Sequence, residues 1–328
     1  MAGPKRPFPE KSFLALSICL GATILLASCA PKTPEVTVAP VPKSQTWGQF
    51  GFKPGQFKGP RAIVADDEFV YVADRASRIS KFTKDGKYVM RWTVPVSRNG
   101  SFEGPEGIAI LKSGEIAITN THASRVLIYS KTGQLKRKFG TYGTGKGQFL
   151  LVTGICVDDE GFIYCADYSG EFDRISKWTP EGKWVAQWAG HGEAKRHFRR
   201  PCGLAISKNG DLLVADIGNH RIQILDRKTG EYKGQFPTRG RKDGEVTYPF
   251  GVAVDGVGDI YTVEYGTHRV QKWTPEGKWI ATWGGPGRAV GQLANPWGLC
   301  VDPDGTVYIA DTNNDRVQKF RFESDTTN

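Results

Sequence analysis

Histidine, methionine and cysteine are all scarce in this chain: five, two and six in 328 residues. Six cysteines spread over this length do not make a disulfide scaffold. Apolar runs are short. The longest, Phe13 to Leu26, would rise only about 21 Å as a helix, too little to span a bilayer comfortably. A phosphate loop is also missing, because Gly140-x-x-x-x-Gly145-Lys146 is followed by Gly147, where magnesium binding needs Ser or Thr. Acidic residues are in deficit, 34 against 44 Lys and Arg, which gives a net charge of +10 and suits anionic surfaces or ligands. What the chain has in plenty is glycine, 40 residues, together with nine tryptophans. That composition favours many short strands and turns over a helical bundle.

The first residues read as an address. Lys5, Arg6 and Lys11 precede the apolar stretch, and small residues follow it, the order of a secretory signal. The stretch ends in Leu26-Ala27-Ser28-Cys29, which resembles the lipobox of bacterial lipoproteins. The resemblance implies cleavage after residue 28 and a diacylglycerol on the thiol of Cys29, with an ordinary signal peptide and an incidental Cys as the alternative. Ala30 stands where an Asp would imply retention at the inner membrane, so outer-membrane anchoring is the expectation. Four prolines in residues 31–42 favour extended chain, so 29–42 is expected to be a tether. Removal of 1–28 would lower the net charge to +8, since Lys5, Arg6, Lys11 and Glu10 leave with it.

The remainder repeats itself. An arginine before an apolar residue recurs at Arg78, Arg125, Arg174, Arg221, Arg269 and Arg316, at intervals of 47, 49, 47, 48 and 47. Each is preceded by a Tyr-Val-Ala-Asp-like run ending at Asp74, Asn120, Asp167, Asp216, Glu264 or Asp311. Further upstream lies Pro-x-Gly or a variant of it. Four short apolar runs per unit, separated by turn residues, predict the strands of an antiparallel meander. Four strands at a period near 47 predict propeller blades. The fourth strands end in Trp92, Phe139, Trp188, Phe236 and Trp283, each 13 residues before the next unit's Pro position. Trp47 holds the same spacing to Pro60 with no unit before it, while the sixth unit stops near Phe322 without a fourth strand. The expectation is an all-β, six-bladed propeller over 43–322, closed by the N-terminal strand completing the last blade, with 323–328 as a tail.

Gly291-Gln292-Leu293-x-x-Pro296-x-Gly298, followed by Val307-Tyr308-Ile309-Ala310-Asp311 and Arg316-Val317, resembles the NHL-repeat family of six-bladed propellers. The fold hosts enzymes, RNA binders and protein-binding scaffolds, so the resemblance implies a fold more than a function.

Propeller topology puts the loops between second and third strands, and those between blades, on one face around the channel mouth. Three candidate sites lie there. The first is the ring of Arg78, Arg125, Arg174, Arg221, Arg269 and Arg316, read as a structural clamp with upstream carboxylates, or as an anion site. Its pairs are expected to be exposed, and so to add little stability. The second is the residue after the Pro position: Arg61, Glu106, Thr153, Cys202, Phe250 and Trp297. Repetition would make these six alike, so their diversity marks a seat for a ligand or partner. One branch of NHL-like proteins, the peptidyl-hydroxyglycine amidating lyases, has zinc-binding histidines at this position, and none of the six is His. The third is His191, Glu193, His197 and His220, a set that could hold a divalent metal, although its spacing matches no established zinc signature.

Cys156 and Cys165 fall on neighbouring strands, where a disulfide is one reading; buried thiols are the favoured one, since Cys156 and Cys300 stand at the position that is Ala109, Ala205 and Ala253 in other units. Together these features point to a non-enzymatic binding scaffold at the cell envelope, with an envelope protein as its partner. A channel-centred, metal-assisted lyase or hydrolase is the alternative. Binding of an anionic polymer, RNA or polysaccharide, ranks last, because export removes most access to nucleic acid.

Overall fold

The computed structural model describes residues 44–95 and 104–322. The lipobox, Cys29, the tether and the tail lie outside them. Among the described residues there are six four-stranded antiparallel sheets. The first runs through Pro60–Ala65, Phe69–Asp74, Arg78–Thr83 and Tyr88–Thr93. The third comprises Val152–Val157, Ile163–Asp167, Arg174–Trp178 and Trp184–Ala189. The others repeat this order. No helix among these residues is long and apolar enough to cross a membrane.

The sequence pattern follows from each strand's place in its blade. Second strands lie between the flanking blades and are buried on both faces, so they read as continuous apolar runs: Ile163–Asp167 and Leu212–Asp216 are buried throughout. Fourth strands form the rim and alternate, as Tyr88–Thr93 does, between half-buried and exposed positions.

The terminal aromatic of each rim strand packs across to the next blade. Trp92 lies against Gly133, and Phe139 against Gly182. A Cβ at Gly182, whose φ is +87°, would sit 2.5 Å from the Phe139 ring. The turn therefore needs glycine twice, for its left-handed backbone and for the ring pressed upon it. Core clusters accordingly form between blades: Ala109, Val126, Phe139 and Phe149 of one side meet Val152, Ile163, Cys165 and Trp178 of the next.

The ring closes as the spacing predicts. Gln45–Trp47 pairs antiparallel with Arg316–Arg321, in the register Gln45 to Lys319 and Trp47 to Val317. At the same seam the Gly59 N–H donates to Asp315 Oδ1 at 2.7 Å, and Thr312 Oγ1 donates to the Pro60 carbonyl at 2.7 Å. No unpaired sheet edge is left at the join.

Candidate functional site at the channel mouth

The arginine ring is a clamp. Arg174 donates from Nε to Asp167 Oδ2 at 2.9 Å and from its terminal nitrogens to the carbonyls of Thr144, Gly143 and Gln148. Arg221, Arg269 and Arg316 repeat the scheme with Asp216, Glu264 and Asp311 and the carbonyls of their own preceding loops. Arg78 pairs with Asp74 and reaches the Gly51 carbonyl. Arg125 sits opposite Asn120, which offers no carboxylate. In Arg174, Arg221, Arg269 and Arg316 these donors are turned inward to the fold, whereas Arg78 Nη1 and Arg125 Nε are buried without an acceptor among the described residues.

The expectation of exposed pairs is corrected here. Asp167, Asp216, Glu264 and Asp311 are fully buried, because the loop folds over them. Burial pushes the Asp167 and Asp216 carboxyls up, against backbone N–H donors and the paired arginines that pull them down.

The residue before each arginine latches the following loop. Ser124 Oγ donates to the Leu150 carbonyl, and Asp173 Oδ2 accepts from the Arg200 N–H. His220 Nδ1 accepts from the Tyr248 N–H at 3.1 Å, and His268 Nδ1 from the Asn295 N–H at 2.9 Å. Both imidazoles therefore act as acceptors at Nδ1 and are held neutral, burial lowering their pKa below the ordinary value.

The histidine set is not brought together. His191 Nδ1 bonds Asp173 Oδ2 at 2.8 Å, His197 Nδ1 bonds the Lys195 carbonyl, His220 serves its latch, and Glu193 pairs with Arg199 on the surface. Among the described residues no three His, Cys, Asp or Glu side chains are grouped to hold a metal ion. His191 instead borders a separate pocket of about 520 Å³ with Tyr168, Asp173, Arg199 and Arg200.

Of the six varied positions, five line the central channel, a cavity of about 350 Å³: Arg61, Glu106, Cys202, Phe250 and Trp297. Thr153 does not. Its hydroxyl donates to the Pro201 carbonyl at 3.0 Å and so joins two blades. Arg61 Nη1 donates to Glu106 Oε1 at 2.8 Å, and the guanidinium lies 4.6 Å from the centre of the Trp297 ring, a cation–π contact. Phe250 packs edge-on against Trp297 and stacks on Tyr265. Arg200 lies over the rings of Tyr168 and Phe250. Burial pushes the Cys202 thiol up to about 12, so it stays protonated and unreactive near neutrality.

Sequence reasoning missed Tyr168 and Tyr265. They occupy one repeat position, directly after the acid of the second strand, which elsewhere is Arg75, Thr121, Ile217 or Thr312. The same unevenness that singled out Phe250 would have found them.

The disulfide reading fails on register. Cys165 stands opposite Ile155, one step from Cys156, so the two thiols point to opposite faces of the sheet and join different clusters. Both are free and buried.

Comparison with known proteins agrees with this geometry. The NHL-repeat family profile matches residues 198–225 and 293–320, which cover the fourth and sixth clamps. The chain carries NHL repeats on a six-bladed β-propeller. This propeller is 32% identical over 205 residues to NHL repeat-containing protein 3 of Homo sapiens, a match that covers 56% of each chain. The chain thus spans little more than half the length of that relative. It is 31% identical over 144 residues to peptidyl-glycine alpha-amidating monooxygenase B of Xenopus laevis, covering 40% of this chain and 16% of that one. Among solved structures it is similar to a protein of unknown function from Bacteroides thetaiotaomicron, with a TM-score of 0.67 at 15% identity over 85% of this chain and 76% of that one. It is also similar to virginiamycin B lyase from Staphylococcus aureus, with a TM-score of 0.59 at 16% identity over 86% and 99%. At such identities the likeness establishes the fold alone.

Proposed function

We propose that this NHL-repeat propeller is a non-enzymatic binding scaffold whose ligand or partner seats at the channel mouth. The observation that carries this reading is the contrast between five like arginine–carboxylate clamps and one unlike ring. Five members of that ring meet at a single cavity, with one buried cation, the buried Phe250 and the half-buried Trp297 among them. A ring with no common structural task is free to be shaped by what it binds.

The basic start, short apolar stretch and Leu26-Ala27-Ser28-Cys29 support export and a lipid anchor, with the outer membrane as its site and an envelope protein as partner. The test is crosslinking and capture from native membranes with the full chain and its Arg61→Ala/Phe250→Ala/Trp297→Ala variant. A specific envelope partner lost in the triple variant, with folding retained, supports the reading. An unchanged partner set refutes this choice of face. Release of Cys29→Ser from the membrane fraction tests the anchor.

A second reading, a channel-side lyase or hydrolase, is favoured by one observation. Buried Asp173 orients His191 in a pocket beside the channel, and the imidazole's other nitrogen, Nε2, is left without a hydrogen bond. Stoichiometric metal in protein purified without chelator, with turnover lost in His191→Ala, would replace the binding reading.

A further inference from the structure

Among the described residues lining the channel only Arg61 and Glu106 carry charge, and both stand at the mouth. Arg61 is 6% exposed. A guanidinium has five N–H donors. Arg61 uses Nη1 on Glu106, makes no other hydrogen bond or ion pair, and has a buried Nε with no acceptor. Arg174, Arg221, Arg269 and Arg316, by contrast, tie their terminal nitrogens to loop carbonyls. A cation this deep with unused donors calls for an acceptor.

Below the mouth the chemistry changes. Three residues past each Pro position stand Ile63, Ile108, Ile155, Leu204, Val252 and Leu299, one aliphatic side chain per blade, and all six line the same cavity. None is more than 7% exposed. Among the described residues the channel is therefore charged at one end and uncharged beyond it, with one aliphatic side chain per blade, each also packed into an inter-blade core, along the uncharged part. Its volume, about 350 Å³, lies in the range of sites that take a small organic ligand. Beside Arg61, whose guanidinium lies over the Trp297 ring, Phe250 packs edge-on against the same ring.

We propose that the channel binds a small amphiphilic monocarboxylate, its carboxylate on Arg61 and its aliphatic chain along the six-residue ring. This deepens the binding reading and rests on it. One negative charge is what the site can take: Glu106 already offsets part of Arg61, and Arg200 at the rim adds the second cation. A polyanion fits poorly, because nothing below the mouth could neutralise further charge.

The probe is decanoate, titrated into the full chain held in amphipol and followed by tryptophan fluorescence, with Trp297→Phe to assign the signal. Each buried methylene strengthens binding by about fourfold, so octanoate should bind about fifteenfold more weakly. Decanol, matched in length but uncharged, should bind at least about tenfold more weakly, as should decanoate to Arg61→Gln. Because Arg61→Gln removes the cation bonded to the buried Glu106, Arg61→Gln/Glu106→Gln serves as the second variant. It should keep the melting temperature and still lose decanoate. Decanol binding as tightly as decanoate, unchanged affinity in both variants, or no saturable binding would each overturn the proposal. Failure of decanoate with partner capture intact overturns the amphiphile alone. Failure of both overturns the binding face.

Discussion

The clamp ring and the mouth ring sit on one face of the same propeller, one of each in every blade, and they obey opposite rules. At the clamp, the same arginine meets the same carboxylate and the same loop carbonyls in blade after blade. At the mouth, the position is arginine, glutamate, threonine, cysteine, phenylalanine and tryptophan in turn. In a repeat protein, side chains that serve the fold recur because each blade poses the same problem. A position that stops recurring answers to something outside the blade. Thr153 shows that the rule needs the structure as a filter, since it varies yet serves only to join two blades.

The largest break in this contrast should come from the clamp. Asp167→Ala strands Arg174, which is 2% exposed, and should cost about 3–5 kcal/mol in chemical denaturation. It should leave the spectroscopic signature of the channel unchanged in the folded fraction. Arg61→Gln/Glu106→Gln should do the reverse, abolishing binding at the mouth with a melting temperature close to that of the parent.

Gly182→Ala tests the packing between blades. Strain at φ +87° and a collision with the Phe139 ring should together cost about 2–4 kcal/mol, read from the denaturation midpoint.

A smaller effect is expected from pH. His220 and His268 have folded pKa values lowered by burial, so the unfolded chain binds protons that the folded one does not. Their contribution to stability is complete above the unfolded value near 6.5 and is lost as pH falls through the folded values. Thermal melts should therefore fall in temperature below about pH 6.5, and His220→Asn/His268→Asn should flatten that slope. The smallest effect of all is on the thiols: reductant should leave the melting temperature unchanged, because Cys156 and Cys165 face apart. A shift on reduction would contradict that register.

Much of the fold was legible because it is written six times. The period near 47, the rim aromatics and the orphan Trp47 sufficed for blade number, strand number and closure, since a local pattern repeated at fixed spacing can bury its apolar faces only against copies of itself. The candidate site was half legible. Unlike residues at Arg61, Phe250 and Trp297 stood out against the repeat, but Tyr168, Tyr265 and Arg200 reach the same cluster from other loops. The histidines misled for the same reason. His191, His197 and His220 are close in the order of loops, yet each imidazole points to a partner that only the folded loop supplies.

The sequence by itself determined the blades, their number and the seam that joins the ends, because strand periodicity and turn chemistry act over a few residues. Tertiary structure alone decided which atoms are buried and which remain without partners. Covering loops turned exposed-looking ion pairs into buried clamps. One-residue register sent two neighbouring thiols to opposite faces. Convergence of six inner strands put a buried guanidinium with an unused donor at the head of the central channel. Burial and convergence depend on contacts between distant segments, and no local pattern encodes them.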